Sequence, residues 1–200
     1  MKPVYSDGAV RAILRGRIGV GVTQGDEAGH FVMGRSAAAL AMADLGSVAA
    51  EILKGSDRAP IWPLGLVGSI AHTRDLAIAV VGWAEEFLSL GVDVESERRR
   101  IDPRTARRVC TPEELLRFSV PNALLALFCA KEATYKALAP LGATRLGFKD
   151  VAYSPVGPGL LEGRIVSEEV DVGIPKTFTA RHATTDGFVV AVVQIDRSQM

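Results

Sequence analysis

Asp93 and Glu95 flank Val94 in SLGVDVESERRR (89–100), and Glu132 stands four residues before Lys136 in FCAKEATYKAL (128–138). Side chains of a strand alternate between its faces, so Asp93 and Glu95 share one face and Val92 and Val94 the other. On a helix, positions i and i+4 share a face, which aligns Glu132 with Lys136; Lys131, Glu132, Tyr135 and Lys136 cannot all point one way. Taken separately, the first pair suits the solvated face of an edge strand and the second an exposed ion pair. Taken together, three carboxylates from two elements form an oxygen-only donor set, suited to Mg²⁺ or Mn²⁺ rather than zinc. Such a Mg²⁺ site completes its octahedron with water and phosphate oxygens. A lysine one turn from the glutamate can neutralise phosphate charge in the transition state. The chemistry this predicts is metal-assisted phosphoryl transfer.

The elements that must position these groups can be read from pattern. Arg15–Val22, Val67–Ala71, Leu76–Trp83 and Phe87–Glu95 are expected as strands, the last three as an antiparallel meander. Phe31–Leu45 is an Ala-rich helix stopped by Gly46, and the Gly and Pro density of 54–65 reads as a loop. Thr111-Pro112-Glu113-Glu114 has the form of a capping box with proline at the first helical position. A longer helix should run from about Pro121 to Leu138. Phe148–Ser154, Gly159–Ser167, Lys176–His182 and Phe188–Ile195 should build a second sheet.

The halves also resemble each other. Phe31-x-x-x-Arg35 and Phe128-x-x-x-Glu132 each lie on a helix followed by Leu-Gly, at 45–46 and 141–142. Each is followed by a histidine, a turn and an alternating strand, in IAHTRDLAIAVV (70–81) and ARHATTDGFVVAVV (180–193). A duplicated helix-plus-meander unit is expected, with a ligand site where the copies meet.

Composition narrows the classes. The chain has 200 residues, 48% of them hydrophobic, with 23 basic and 23 acidic side chains. That suits one domain or two small ones, and the charge balance argues against a nucleic-acid partner. Two cysteines and three scattered histidines fit neither a disulfide framework nor a zinc site. No signal pattern and no membrane-length apolar run is present, so a cytoplasmic protein without membrane contacts is expected.

The motifs together resemble the 4′-phosphopantetheinyl transferase superfamily, in its enterobactin-synthase-component-D-like branch. GVDVE (91–95) and FCAKEATYKA (128–137) look like that family's signature pair. PIWPLGLVGSIAHT (60–73) and GRSAAALAMADLG (34–46) are similar to two further stretches of the branch. The resemblance implies an α+β fold of two similar subdomains related by a pseudo-two-fold, expected here at 1–96 and 97–200, with the active site at their junction. It implies transfer of the phosphopantetheine arm of coenzyme A (CoA) to a serine of an apo acyl-, peptidyl- or aryl-carrier protein, releasing adenosine 3′,5′-bisphosphate. It assigns Asp93, Glu95 and Glu132 to Mg²⁺, Lys136 to the phosphates, and Glu132 to the serine proton. It places Arg35 and His72 at the 3′-phosphate of CoA, Arg58 and Trp62 beside the adenine, and Ser69 near CoA. A monomer is expected.

Departures from the branch concern the CoA end. TQGDEAGHF (23–31) carries Asp26 and Glu27 where several basic residues are usual, leaving His30, or Arg15 and Arg17, to complete the clamp. Ala71 replaces a common serine. Arg98, Arg99, Arg100, Arg104, Arg107 and Arg108 form the strongest basic cluster and suit docking of an acidic carrier. Two other readings follow from particular features. A non-catalytic CoA- or carrier-binding homologue would explain the missing basic residues. Gly19-x-Gly21 with Gly25 would suit a dinucleotide site, but its third glycine is misplaced and no βαβ unit follows.

Overall fold

The structure is a computed structural model and describes residues 5–25, 29–48, 50–55, 59–143, 145–167 and 176–199. Its elements in chain order are α1 (Gly8–Ile13), β1 (Ile18–Gln24), α2 (Gly29–Leu45), β2 (Leu53–Lys54), β3 (Pro60–Ile61), β4 (Leu66–His72), β5 (Leu76–Trp83) and β6 (Phe87–Ser96). There follow α3 (Pro103–Val109), α4 (Pro112–Arg117), α5 (Pro121–Leu138), β7 (Val151–Gly157), β8 (Leu160–Ile165), β9 (Thr177–Thr185) and β10 (Phe188–Asp196). The fold is α+β with antiparallel sheets. One sheet has the order β1-β5-β4, the other β6-β10-β9-β8-β7, and β2-β3 is a small ribbon within the segment expected as a loop.

The expected meander is corrected at its third strand. β5 already pairs with β4 on one edge and with β1 on the other, from Ile18↔Gly82 to Gln24↔Leu76. No edge of β5 remains for β6, which pairs with β10 in the second sheet instead. β6 reaches the first sheet differently: the Val92 amide donates to Ser69 Oγ on β4 at 3.1 Å. The strand expected from Phe148 begins only at Val151, because Phe148–Asp150 closes a 3₁₀ turn.

Four layers result: α2, the three-stranded sheet, the five-stranded sheet and α5. Leu90, Val92 and Val94 of β6 join Val20, Ile78, Val80, Val190 and Val192 in the core between the sheets. Met33, Ala37 and Ala41 of α2 pack on Ala77, Ala79 and Val81. Leu125, Cys129 and Ala130 of α5 pack on Ala191 and Val193.

Both long helices lie on strand glycines. A Cβ added at Gly19 or Gly21 would fall 2.0 Å from Ala41 O or 1.9 Å from Ala37 O, on the backbone of α2. One added at Gly91 would fall 1.9 Å from Ala133 O and 2.9 Å from Ala137 N, on the backbone of α5. Close approach of helix and strand therefore explains Gly19-x-Gly21, which lies within a strand and forms no phosphate-binding turn. The same contact settles the face of Asp93 and Glu95. They follow Gly91 along the side of β6 turned to α5, so the solvated-edge reading of that face fails.

Candidate active site

β6 and α5 bring the predicted acids together. Asp93 is only 7% exposed. Its Oδ1 accepts from Lys136 Nζ at 2.8 Å, and the same ammonium donates to Val92 O at 3.0 Å. Asp93 Oδ2 is buried and has no hydrogen-bond partner among the described residues. Glu95 is ion-paired with Arg99, whose guanidinium also lies over the Phe128 ring, 4.5 Å from its centroid. Burial raises the Glu95 carboxyl to about 7, and the charge of Asp93 adds to the shift while Arg99 opposes it. Glu132 is also raised, first by burial and then by Asp93.

The buried acids are thus only partly compensated by positive charge. An orphaned carboxylate oxygen and two acids held above their ordinary range fit a hard divalent cation in donor chemistry. Among the described residues no three carboxylate, thiolate or imidazole groups are gathered as a ready metal cage. Instead Lys136 and Arg99 supply counter-charge to Asp93 and Glu95 from within the chain. Arg99 is the main residue that sequence reasoning misplaced. Its run of arginines suggested a docking face, whereas its position four residues after Glu95 lets it fold back onto the acid.

The Glu95 shift has a consequence for stability. Its folded value lies above the ordinary carboxylate value, so the protonated form favours folding. That contribution is complete below the unfolded value and is lost as pH rises through about 7. Metal-free protein should therefore melt at progressively lower temperature from about pH 5 to about pH 8, and Glu95→Gln should flatten that slope. Melting curves in chelator across this range check it; equal slopes for wild type and Glu95→Gln would contradict it.

Residues expected at the CoA end are placed less uniformly. Arg35 stacks over the Phe31 ring at 4.8 Å, and its Nη2 donates to Leu53 O at 3.2 Å. Its Nε is buried without a partner among the described residues, and burial lowers its pKa. Gly34 lies against Ile70, which sets the start of α2 beside the end of β4, where His72 is exposed. The Ser69 hydroxyl is engaged by Val92. Trp62 covers β4 at Gly68 and packs on the core under α2. Arg17 binds Leu45 O, and the Arg15 backbone bonds to Gln194. Leu45 is ten residues beyond Arg35 on α2, about 15 Å along the axis, so Arg17 does not join an Arg35 cluster. Arg58, Asp26, Glu27 and the His30 side chain lie outside the described residues.

Beside Glu132 is a cavity of about 190 Å³ lined by Lys131, Glu132, Tyr135, Leu146, Phe148 and Val151, among others. Sequence reading missed it, because residues 148–150 resembled the start of a strand. Lys131 turns away from Lys136, as the helical spacing predicted, and is buried against Glu114 at 2.9 Å.

Residues 28–82 match the family model of the 4′-phosphopantetheinyl transferase N-terminal domain, and residues 89–192 that of the 4′-phosphopantetheinyl transferase superfamily. The 4′-phosphopantetheinyl transferase Npt of Nocardia iowensis is 33% identical over 178 residues, covering 82% of this chain and 80% of that protein. PptT of Mycobacterium tuberculosis is 39% identical over 128 residues, 60% of this chain and 55% of that protein. Enterobactin synthase component D of Salmonella typhi is 34% identical over 117 residues, 54% and 47% respectively. The junction of β6 and α5 lies inside the second matched segment, and the chain belongs to the 4′-phosphopantetheinyl transferase superfamily, with enterobactin synthase component D among its relatives.

Proposed function

We propose that the protein transfers the 4′-phosphopantetheine group of CoA to a serine of an apo acyl-, peptidyl- or aryl-carrier protein and releases adenosine 3′,5′-bisphosphate. The observation that carries this reading is the facing of Asp93 and Glu95 by Glu132, with Asp93 Oδ2 unpartnered and both glutamates pushed up by burial and by Asp93. Held by Asp93, Glu95 and Glu132, Mg²⁺ would withdraw charge from the attacked phosphorus and from the departing phosphate.

The chain's own groups divide the remaining work. Glu132, raised from the ordinary carboxylate range, is suited to accept the serine proton. The serine oxygen then bonds to the phosphorus that bears the pantetheine. The bond from that phosphorus to the adenosine bisphosphate breaks, and its electron pair leaves with the nucleotide. Lys136 uses two N–H groups on Asp93 and Val92, leaving one for a phosphate oxygen. The Nε of Arg35, without a partner among the described residues, suits the 3′-phosphate, with His72 exposed at the neighbouring strand end. Arg58 is given the adenine side by resemblance alone. Ser69 serves by tying β4 to the strand that carries Asp93. The cavity beside Glu132 receives the pantetheine arm.

An acidic carrier would meet the exposed Arg98, Arg100, Arg104, Arg107 and Arg108, with Arg99 kept for Glu95. Both sheets place the last strand of a hairpin between its partner and the strand preceding the long helix, as β1-β5-β4 and β6-β10-β9. That order supports a duplicated unit, with the site where the copies meet. Chromatography of reactions with CoA, Mg²⁺ and apo carrier should show adenosine 3′,5′-bisphosphate, dependent on both carrier and Mg²⁺. Absence of that nucleotide with every carrier would leave a CoA- or carrier-binding homologue in its place.

A further inference from the structure

Lys131 is 3% exposed and Glu114 is 1% exposed, so a full ion pair is buried next to the acid that faces the site. A buried ammonium is costly unless all its hydrogens are matched. Here all three are: Lys131 Nζ binds Glu114 Oε2 at 2.9 Å, Phe148 O at 2.7 Å and Val151 O at 2.8 Å. Glu114 is equally committed. Its carboxylate accepts from the Thr111 amide at 2.7 Å, closing the capping box of α4, and from the Tyr153 amide on β7 at 2.8 Å. One pair therefore joins α4, α5, β7 and the 3₁₀ turn before β7.

An apolar side chain at 131 would fill the same space without the desolvation cost, as its neighbours Cys129 and Ala130 do. The lysine adds a fixed distance between α5 and the carbonyls of Phe148 and Val151. Those two residues, with Leu146, line the cavity beside Glu132, and Lys131 itself borders it. The wall has no regular ladder of its own until β7 begins at Val151. We infer that Lys131 and Glu114 are positioning residues that clamp the segment Leu146–Val151 to α5 and so set the width of the cavity beside Glu132. The inference rests on the reading that this cavity receives the pantetheine arm of CoA.

A wall that contacts a non-reacting part of the substrate contributes equally to ground and transition states. Loosening it should raise KM with little change in kcat. Lys131→Met alone leaves Glu114 charged and buried, and we expect it to melt well below wild type. The double variant Lys131→Met/Glu114→Gln removes both charges and keeps one acceptor oxygen, for either the Thr111 or the Tyr153 amide, which bond to different oxygens of Glu114. It should recover part of the melting temperature lost in Lys131→Met, while its KM for CoA stays raised about tenfold with kcat within about threefold. Hydrogen exchange in residues 146–151 should be faster in the double variant than in wild type. A double variant with recovered melting, wild-type exchange at 146–151 and wild-type KM overturns the inference. Exchange is measured on the free protein, so it still decides the clamp if wild type shows no transfer, a result that would count against the proposed function alone.

Discussion

Asp93→Asn is expected to lower kcat/KM by about a thousandfold while shifting the melting temperature by only a few degrees. The substitution keeps size and still offers Lys136 a carbonyl oxygen. It removes the charge that pushes up both Glu95 and Glu132. Breaking a buried pair commonly costs about 3–5 kcal/mol, but Lys136 is 29% exposed and can turn its ammonium to water. Relief of repulsion among the acids offsets part of what remains. On the proposed reading, the carboxylate whose Oδ2 has no partner among the described residues stabilises the free protein little and serves as a ligand for the cation. Steady-state kinetics and melting of one preparation check both halves. Turnover near wild type would remove Asp93 from the site, and a collapse in melting temperature would make its role structural.

Gly91→Ala should be harmful in both respects. The added methyl would fall 1.9 Å from Ala133 O, and the obstacle is helix backbone rather than the end of a flexible side chain. α5 must move away from β6. Overpacking of this kind costs about 1–3 kcal/mol and sometimes more. The displacement also parts Glu132 and Lys136 from Asp93 and Glu95, and a misplacement of about 1 Å can cost a hundredfold in rate. Gly21→Ala is the matched comparison, with its methyl 1.9 Å from Ala37 O on α2. It should destabilise similarly but chiefly raise KM for CoA, because α2 carries Arg35. Kinetics on the folded fraction of each variant separate the two effects. Equal loss of kcat in both would mean that the close contact at Gly91 does not specifically order the acids.

What could be read in advance depended on how local the determining physics was. The capping box at Thr111–Glu114 and the helix Pro121–Leu138 are fixed by neighbours in sequence, and both formed as expected. The pairing of acids on one face of β6 followed from strand alternation alone. The partner of β6 did not, because alternation identifies a strand but not the free edge it will join, and β1 had already taken the edge of β5. Gly19-x-Gly21 could be read as a phosphate loop because glycine permits close approach to a helix as well as to a ligand. Arg99 looked like one more solvated base, since nothing local distinguishes it from Arg98 or Arg100. Only its reach to Glu95 and Phe128 does. The cavity beside Glu132 depends on a buried charge, Lys131, holding the carbonyls of Phe148 and Val151, residues 17 and 20 positions away.

Phosphopantetheine transfer is a covalent change in a second protein, so intact-mass spectrometry of that protein tests it most directly. Apo acyl-, peptidyl- and aryl-carrier proteins would each be incubated with CoA, Mg²⁺ and the wild-type chain, and in parallel with Asp93→Asn or with chelator. At least one carrier should gain the mass of one phosphopantetheine group with the wild-type chain and Mg²⁺ and remain unmodified in both controls. A full panel unmodified by wild type, or a carrier modified equally by Asp93→Asn, would contradict the account.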